Sequence, residues 1–126
     1  MKERDYEIIR KGASDLAILC LLEERDMYVY EIGKEITKRS GGLYTIPDGT
    51  LYIFMYRLSE HGFLSERKEL VGKRRTRVYY HLEPKGKQYL DKLFTKFKES
   101  LKGLDLFYLN IHRGEGEDEK GNSEDE

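Results

Sequence analysis

The stretch that decides the fold is Phe63–Leu82, FLSERKELVGKRRTRVYYHL. Its second half, Val78-Tyr79-Tyr80-His81-Leu82, alternates and is rich in β-branched and aromatic residues, the composition of a half-buried strand. Two extended runs, Phe63–Val71 and Thr76–Leu82, are joined by Gly72-Lys73-Arg74-Arg75, a short turn opened by glycine. With Arg77 just beyond, four cations fall within five residues, so the hairpin carries a strongly basic tip. A solvated turn tolerates such charge by itself. The elements on either side give it meaning.

Upstream the period is helical. Tyr6–Arg10 extends a first helix that loosens at Gly12, and Ser14 serves as N-cap for a helix to about Glu24. The run Leu16–Leu22 nearly encircles that helix, which places it, with Cys20 as a small buried hydrophobe, at the centre of the core. A second helix spans roughly Tyr28–Arg39. Val29, Ile32, Gly33 and Ile36 form its core face, and Gly33 admits close approach of another helix. Ser40-Gly41-Gly42 stops it. Leu43–Ile46 is extended because Ile46 precedes a proline. Pro47-Asp48-Gly49-Thr50 opens a third helix that reaches about His61 and ends at Gly62. Leu51, Phe54 or Met55, and Leu58 make its core stripe, leaving Tyr52, Ile53, Tyr56 and Arg57 largely off it.

Downstream, Pro84 starts a last helix running to about Ile111. Leu90, Phe94, Phe97, Leu101, Leu104, Tyr108 and Ile111 follow alternating steps of four and three, the a/d seam of a coiled coil, and Leu93 widens it. A helix of this length exceeds what a small domain needs, so the seam (Leu90, Leu93, Phe94, Phe97, Leu101, Leu104 and Tyr108) is read as a homodimer interface.

At 126 residues the chain is about one domain with a small core. The formal net charge of −1 hides an uneven distribution: residues 114–126 carry −6 and residues 1–113 carry +5. One cysteine excludes an internal disulfide. His61, His81 and His112 belong to no cluster at metal-ligand spacing, so no metal and no cofactor are expected. The apolar run Leu16–Leu22 is too short to span a bilayer, and no signal segment opens the chain; a cytoplasmic protein is expected. There is no phosphate-binding glycine loop, no nucleophile with an evident base and no supported carboxylate pair, so no catalytic residue is assigned and an enzyme is not expected.

The fold class that results is mainly α with a small β-hairpin: a winged helix-turn-helix domain over residues 1–83, a C-terminal dimerisation helix over 84–113 and a disordered acidic tail over 114–126. In this order of elements the third helix enters a major groove and the wing reaches the neighbouring backbone of double-stranded DNA. The DNA-binding candidates are Lys34 and Lys38 on the second helix, Thr50, Tyr52, Tyr56 and Arg57 on the third, and Lys73, Arg74, Arg75 and Arg77 on the wing. Tyr52 and Tyr56 either reach sugar, phosphate or base edges or pack under the wing. The rival class is a winged-helix protein–protein interaction module, which the acidic tail favours and the cationic wing opposes.

Further residues carry a resemblance. Leu19–Leu22 followed by Tyr30-Glu31-Ile32, then Gly49-Thr50-Leu51-Tyr52, Arg57-Leu58 and Gly62, resembles the PadR family of regulators. Arg74-Arg75 leading into Tyr79-Tyr80, then Leu82, Lys85-Gly86 and Tyr89-Leu90, continues the likeness, which covers about residues 12–105. The resemblance implies a dimeric transcriptional repressor, a winged N-terminal domain and a helical dimerisation element. It also implies that many relatives release DNA on binding a small, often aromatic effector, here unidentified. The single C-terminal helix is similar to that of the compact subgroup. The sequence departs from the family pattern at Val29, Ile53, Tyr56 and Glu83-Pro84. It has no Trp for a tryptophan-sandwich site.

Overall fold

The computed structural model describes the backbone of residues 3–125 and the side chains of residues 12–112. Its elements are α1 (Glu3–Glu24), β1 (Met27–Tyr28), α2 (Val29–Arg39), α3 (Asp48–Glu60), β2 (Leu64–Leu70), β3 (Thr76–Leu82) and α4 (Pro84–Asp125). They fall into two units, one reaching Lys92 and the other starting at Leu93. The first is a winged helix-turn-helix.

Helix α1 supplies Ile18, Leu19, Leu21 and Leu22 to the core, where they meet Met27, Ile32, Leu51, Met55 and Leu58, all fully or almost fully buried. Two expectations about α1 are corrected. The helix is continuous through Gly12 and Ser14, so Ser14 is a buried interior residue and not an N-cap. A single helical glycine costs about 1 kcal/mol, less than burying even one leucine stabilises. Cys20 is exposed, because its position on α1 faces away from the single arc that buries Ile18, Leu19, Leu21 and Leu22.

Glu31 sets the start of α2 by reaching back to accept a hydrogen bond from the Tyr28 N–H at 3.3 Å. Gly33 then lets α3 approach: a Cβ at that position would stand 3.1 Å from Leu51 Cδ1. Pro47, in extended conformation, is the residue before α3 and not its first turn. At the other end Gly62 takes a φ of +76°, which lets the Phe63 N–H reach back to the Leu58 carbonyl at 3.1 Å.

The sheet has three antiparallel strands in the order β1-β3-β2. β2 and β3 pair from Leu64↔Leu82 to Leu70↔Thr76, and β1 adds Met27↔Tyr80 and Tyr28↔Tyr79. This register turns Leu64, Tyr80 and Met27 to the core, and Arg67, Arg77, Tyr79 and Tyr28 to the opposite face. The sequence reading found the hairpin but not β1, since two residues are too few to show a period.

The first turn of α4 lies against the start of β2. A Cβ on Gly86 would fall 2.2 Å from the Phe63 carbonyl oxygen, and Tyr89 stacks on Phe63 with centroids 4.4 Å apart. Leu90 closes the core. The backbone of α4 continues as helix to Asp125, past Ile111 and through the stretch expected to be disordered. Lengthening a formed helix adds one hydrogen bond per residue without a second nucleation cost. The acidic side chains of that stretch lie outside the described residues.

Candidate nucleic-acid interface

The interface is built on α3. Leu51, Met55 and Leu58 anchor it with no exposed surface, and the helical period turns Thr50, Tyr52, Ile53 and Tyr56 outward. Tyr56 is 67% exposed and Tyr52 is 55% exposed. Tyr52 is also a neighbour of the wing. Burial first, then the Glu66 carboxylate and the Tyr52 phenol, raise the pKa of Tyr80. So Tyr52 stands near Tyr80 of the hairpin while keeping half its surface open.

The hairpin ends where the Val71 N–H donates to the Arg75 carbonyl at 2.9 Å, and this closure presents Lys73, Arg74 and Arg75 as exposed side chains. Arg77 lies one strand position in. Its guanidinium is 4.4 Å from the centre of the Tyr28 ring, a cation–π contact that holds the side chain without neutralising it.

Pairing separates the basic residues into two groups. Arg39 is held by Glu24 at 2.7 Å and Glu35 at 2.9 Å, and these hydrogen bonds push its pKa up and that of Glu24 down. Arg67 is held by Glu69 and Asp26, and Arg57 by Asp15. By contrast Lys34, Lys38, Lys73, Arg74, Arg75 and Arg77 have no carboxylate partner among the described residues. A cation without a partner keeps its full field for an incoming anion. Of the candidates read from sequence, Arg57 alone is tied down. Lys68 on β2, exposed and equally unpartnered, escaped that reading because its strand is charged on both faces.

Residues 18–92 match the model of the transcriptional regulator PadR-like family. The chain belongs to this family. An uncharacterised protein of Lysinibacillus sphaericus is 36% identical over 101 residues, which are 80% of this chain and 92% of that one. A transcriptional regulator from Clostridium thermocellum superposes with a TM-score of 0.73 at 33% identity, covering 80% of this chain and 97% of that chain. Bacillus subtilis PadR, solved in complex with operator DNA, superposes with a TM-score of 0.60 at 25% identity, over 64% of this chain and 44% of that one.

In this PadR-like regulator the base of the wing is fixed by one carboxylate. Asp26, between α1 and β1, lies 2.7 Å from His81 Nδ1 and also accepts from Arg67. Partial burial raises its pKa, but the hydrogen bonds and charges of His81 and Arg67 outweigh that and leave it lowered. Arg67 in turn covers the Tyr79 ring, which meets Tyr28 edge-on at 5.5 Å. β1 thus secures the wing, a role invisible while Tyr28 reads as the first residue of the second helix.

The PadR-like chain's second unit carries the heptad seam from Leu93 onward; Leu90, read as its first member, instead fills the core of the first unit. Phe94, Leu101, Leu104 and Tyr108 are exposed, and Leu93 and Phe97 are half-buried. Among the described residues there is no group of His, Cys, Asp and Glu arranged to hold a metal, and no helix long and apolar enough to cross a membrane.

Proposed function

We propose that the protein is a homodimeric transcriptional repressor that binds an inverted-repeat operator in double-stranded DNA. The wing cations Lys73, Arg74, Arg75 and Arg77, with Lys34 and Lys38, position it on phosphates. Thr50, Tyr52 and Tyr56 on α3 contact base edges or sugars. The observation that carries the reading is the set of unpartnered cations at the wing tip, in the fold of a family one of whose members is solved on its operator.

The exposed apolar seam of α4 supports the dimer, since Leu101 alone leaves 63% of its surface open in the single chain. Two-fold symmetry then doubles each half-site contact and sets half-sites about one helical turn, or a multiple of it, apart. Release from DNA by a small-molecule effector, unidentified here, belongs to the proposal, as the resemblance implies for many relatives.

Selection of genomic fragments by the purified protein, followed by footprinting, tests this. Recovery of an inverted repeat, bound by a dimer with strong salt dependence, is the result the proposal requires. Failure to bind any fragment at low salt overturns it.

A further inference from the structure

The one basic residue of α3 on the candidate DNA surface is not free. Arg57 donates to Asp15 Oδ1 on α1, 42 residues away, and the two side chains are 28% and 5% exposed. Asp15 has no other cationic partner among the described residues. Phe54 flanks the guanidinium at 5.7 Å. Tyr89 lies near both charges: burial first raises its pKa, Asp15 adds to that, and Arg57 opposes it.

This pair constrains α3 in a way its apolar contacts do not. Leu51, Met55 and Leu58 hold the helix by close packing, whose hydrophobic part has no direction, so a directional contact fixes its rotation more sharply than they do. A hydrogen-bonded ion pair is directional, and a nearly buried carboxylate left alone is strongly unfavourable. Turning α3 would withdraw Arg57 from Asp15. The same turn would move Thr50, Ile53 and Tyr56, which share the helix.

We infer that Arg57 is a positioning residue. It fixes the rotation of α3 through Asp15, so that the exposed row Thr50, Tyr52 and Tyr56 meets the operator in one register, and it makes no contact with phosphate or base. This rests on the DNA-binding reading proposed above. Asp15, buried on α1, therefore becomes a determinant of operator preference without approaching DNA.

The test compares wild type with Asp15→Leu and with the double variant Asp15→Leu/Arg57→Met. The single change Arg57→Met is avoided because it strands a buried carboxylate. Affinity is measured on the selected operator and on random duplex, each across a salt series. In Asp15→Leu the arginine is intact and released, yet operator preference should fall about tenfold, the worth of roughly one mismatched base pair. The salt slope should stay unchanged, and the double variant should lose no further preference.

If Arg57 instead touches phosphate, Asp15→Leu will keep the operator preference and the double variant will flatten the slope by about 2. That pattern overturns the inference. A readout without DNA separates it from the reading it rests on: amide hydrogen exchange across Asp48–Glu60 should quicken severalfold in Asp15→Leu. Unchanged exchange sinks the positioning role even if DNA binds. Quickened exchange in a protein that binds no DNA sinks only the functional reading.

Discussion

Replacing Arg74 and Arg75 together with Ala is the perturbation with the most direct physical reading. Both side chains are exposed at the wing tip and neither has a carboxylate partner among the described residues, so no folded-state ion pair is lost. Stability should therefore stay within about 0.5 kcal/mol of wild type. Binding should change in a specific way. Each neutralised phosphate contributes about −0.9 to the slope of log affinity against log salt, and a symmetric dimer presents each residue twice. The double substitution should flatten the slope by between 3 and 4, roughly speaking, if both residues reach phosphate. Between 50 and 200 mM salt that change alters the ratio of wild-type to variant affinity about a hundredfold, with the larger loss at low salt. Operator and random duplex should weaken by similar factors, since phosphates carry no sequence. Fluorescence anisotropy on both duplexes across that range reads all of this. A variant whose slope equals that of wild type would show that the wing does not touch the DNA backbone. Tyr56→Ala is the internal contrast: it should lower operator affinity more than random affinity and leave the slope nearly intact.

Leu101→Glu should convert the dimer to a folded monomer in sedimentation at micromolar concentration, because the side chain is exposed in the single chain and pays a burial penalty only at a seam; wild type sedimenting as a monomer would refute the seam. Deleting residues 114–126 removes a −6 segment on the same chain as the basic surface. Affinity for random duplex should rise, mostly at low salt, and identical affinities at low and high salt would leave the tail without that role. Gly86→Ala should destabilise by about 3 kcal/mol in denaturant unfolding, since its Cβ would meet the Phe63 carbonyl oxygen at 2.2 Å; a change below about 1 kcal/mol would mean the α4 turn shifts freely. The lowered pKa of Asp26 gives a signed pH dependence. Its stabilisation is present above the unfolded carboxyl pKa of about 3.9 and is lost as pH falls through the lower folded value. The stability gap between wild type and Asp26→Asn should thus close as pH falls below about 4.

The order of elements was legible because it rests on local physics. Alternation in Val78–Leu82, the helical spacing of Val29, Ile32 and Ile36, and the breaks at Gly62 and Pro84 each report on a few consecutive residues. The unpaired wing cations were legible for the same reason, since a turn between two strands exposes whatever it contains. The apolar periodicity of α4 needed only the helical repeat.

What the sequence could not determine lies in pairings between distant residues. Asp15 carried no signal in the sequence and Arg57 read as a DNA-binding cation, and their meeting across 42 residues exists only once α3 is packed on α1. Asp26 gained its role from His81 and Arg67, which the sheet brings to it from two other strands. Cys20 lay in an unbroken apolar run, yet the stripe it occupies faces outward. Periodicity tells which residues share a face, but the charge that neutralises a buried carboxylate, and the face left uncovered, follow from which elements pack together. That is a property of the assembled core and not of any stretch of chain.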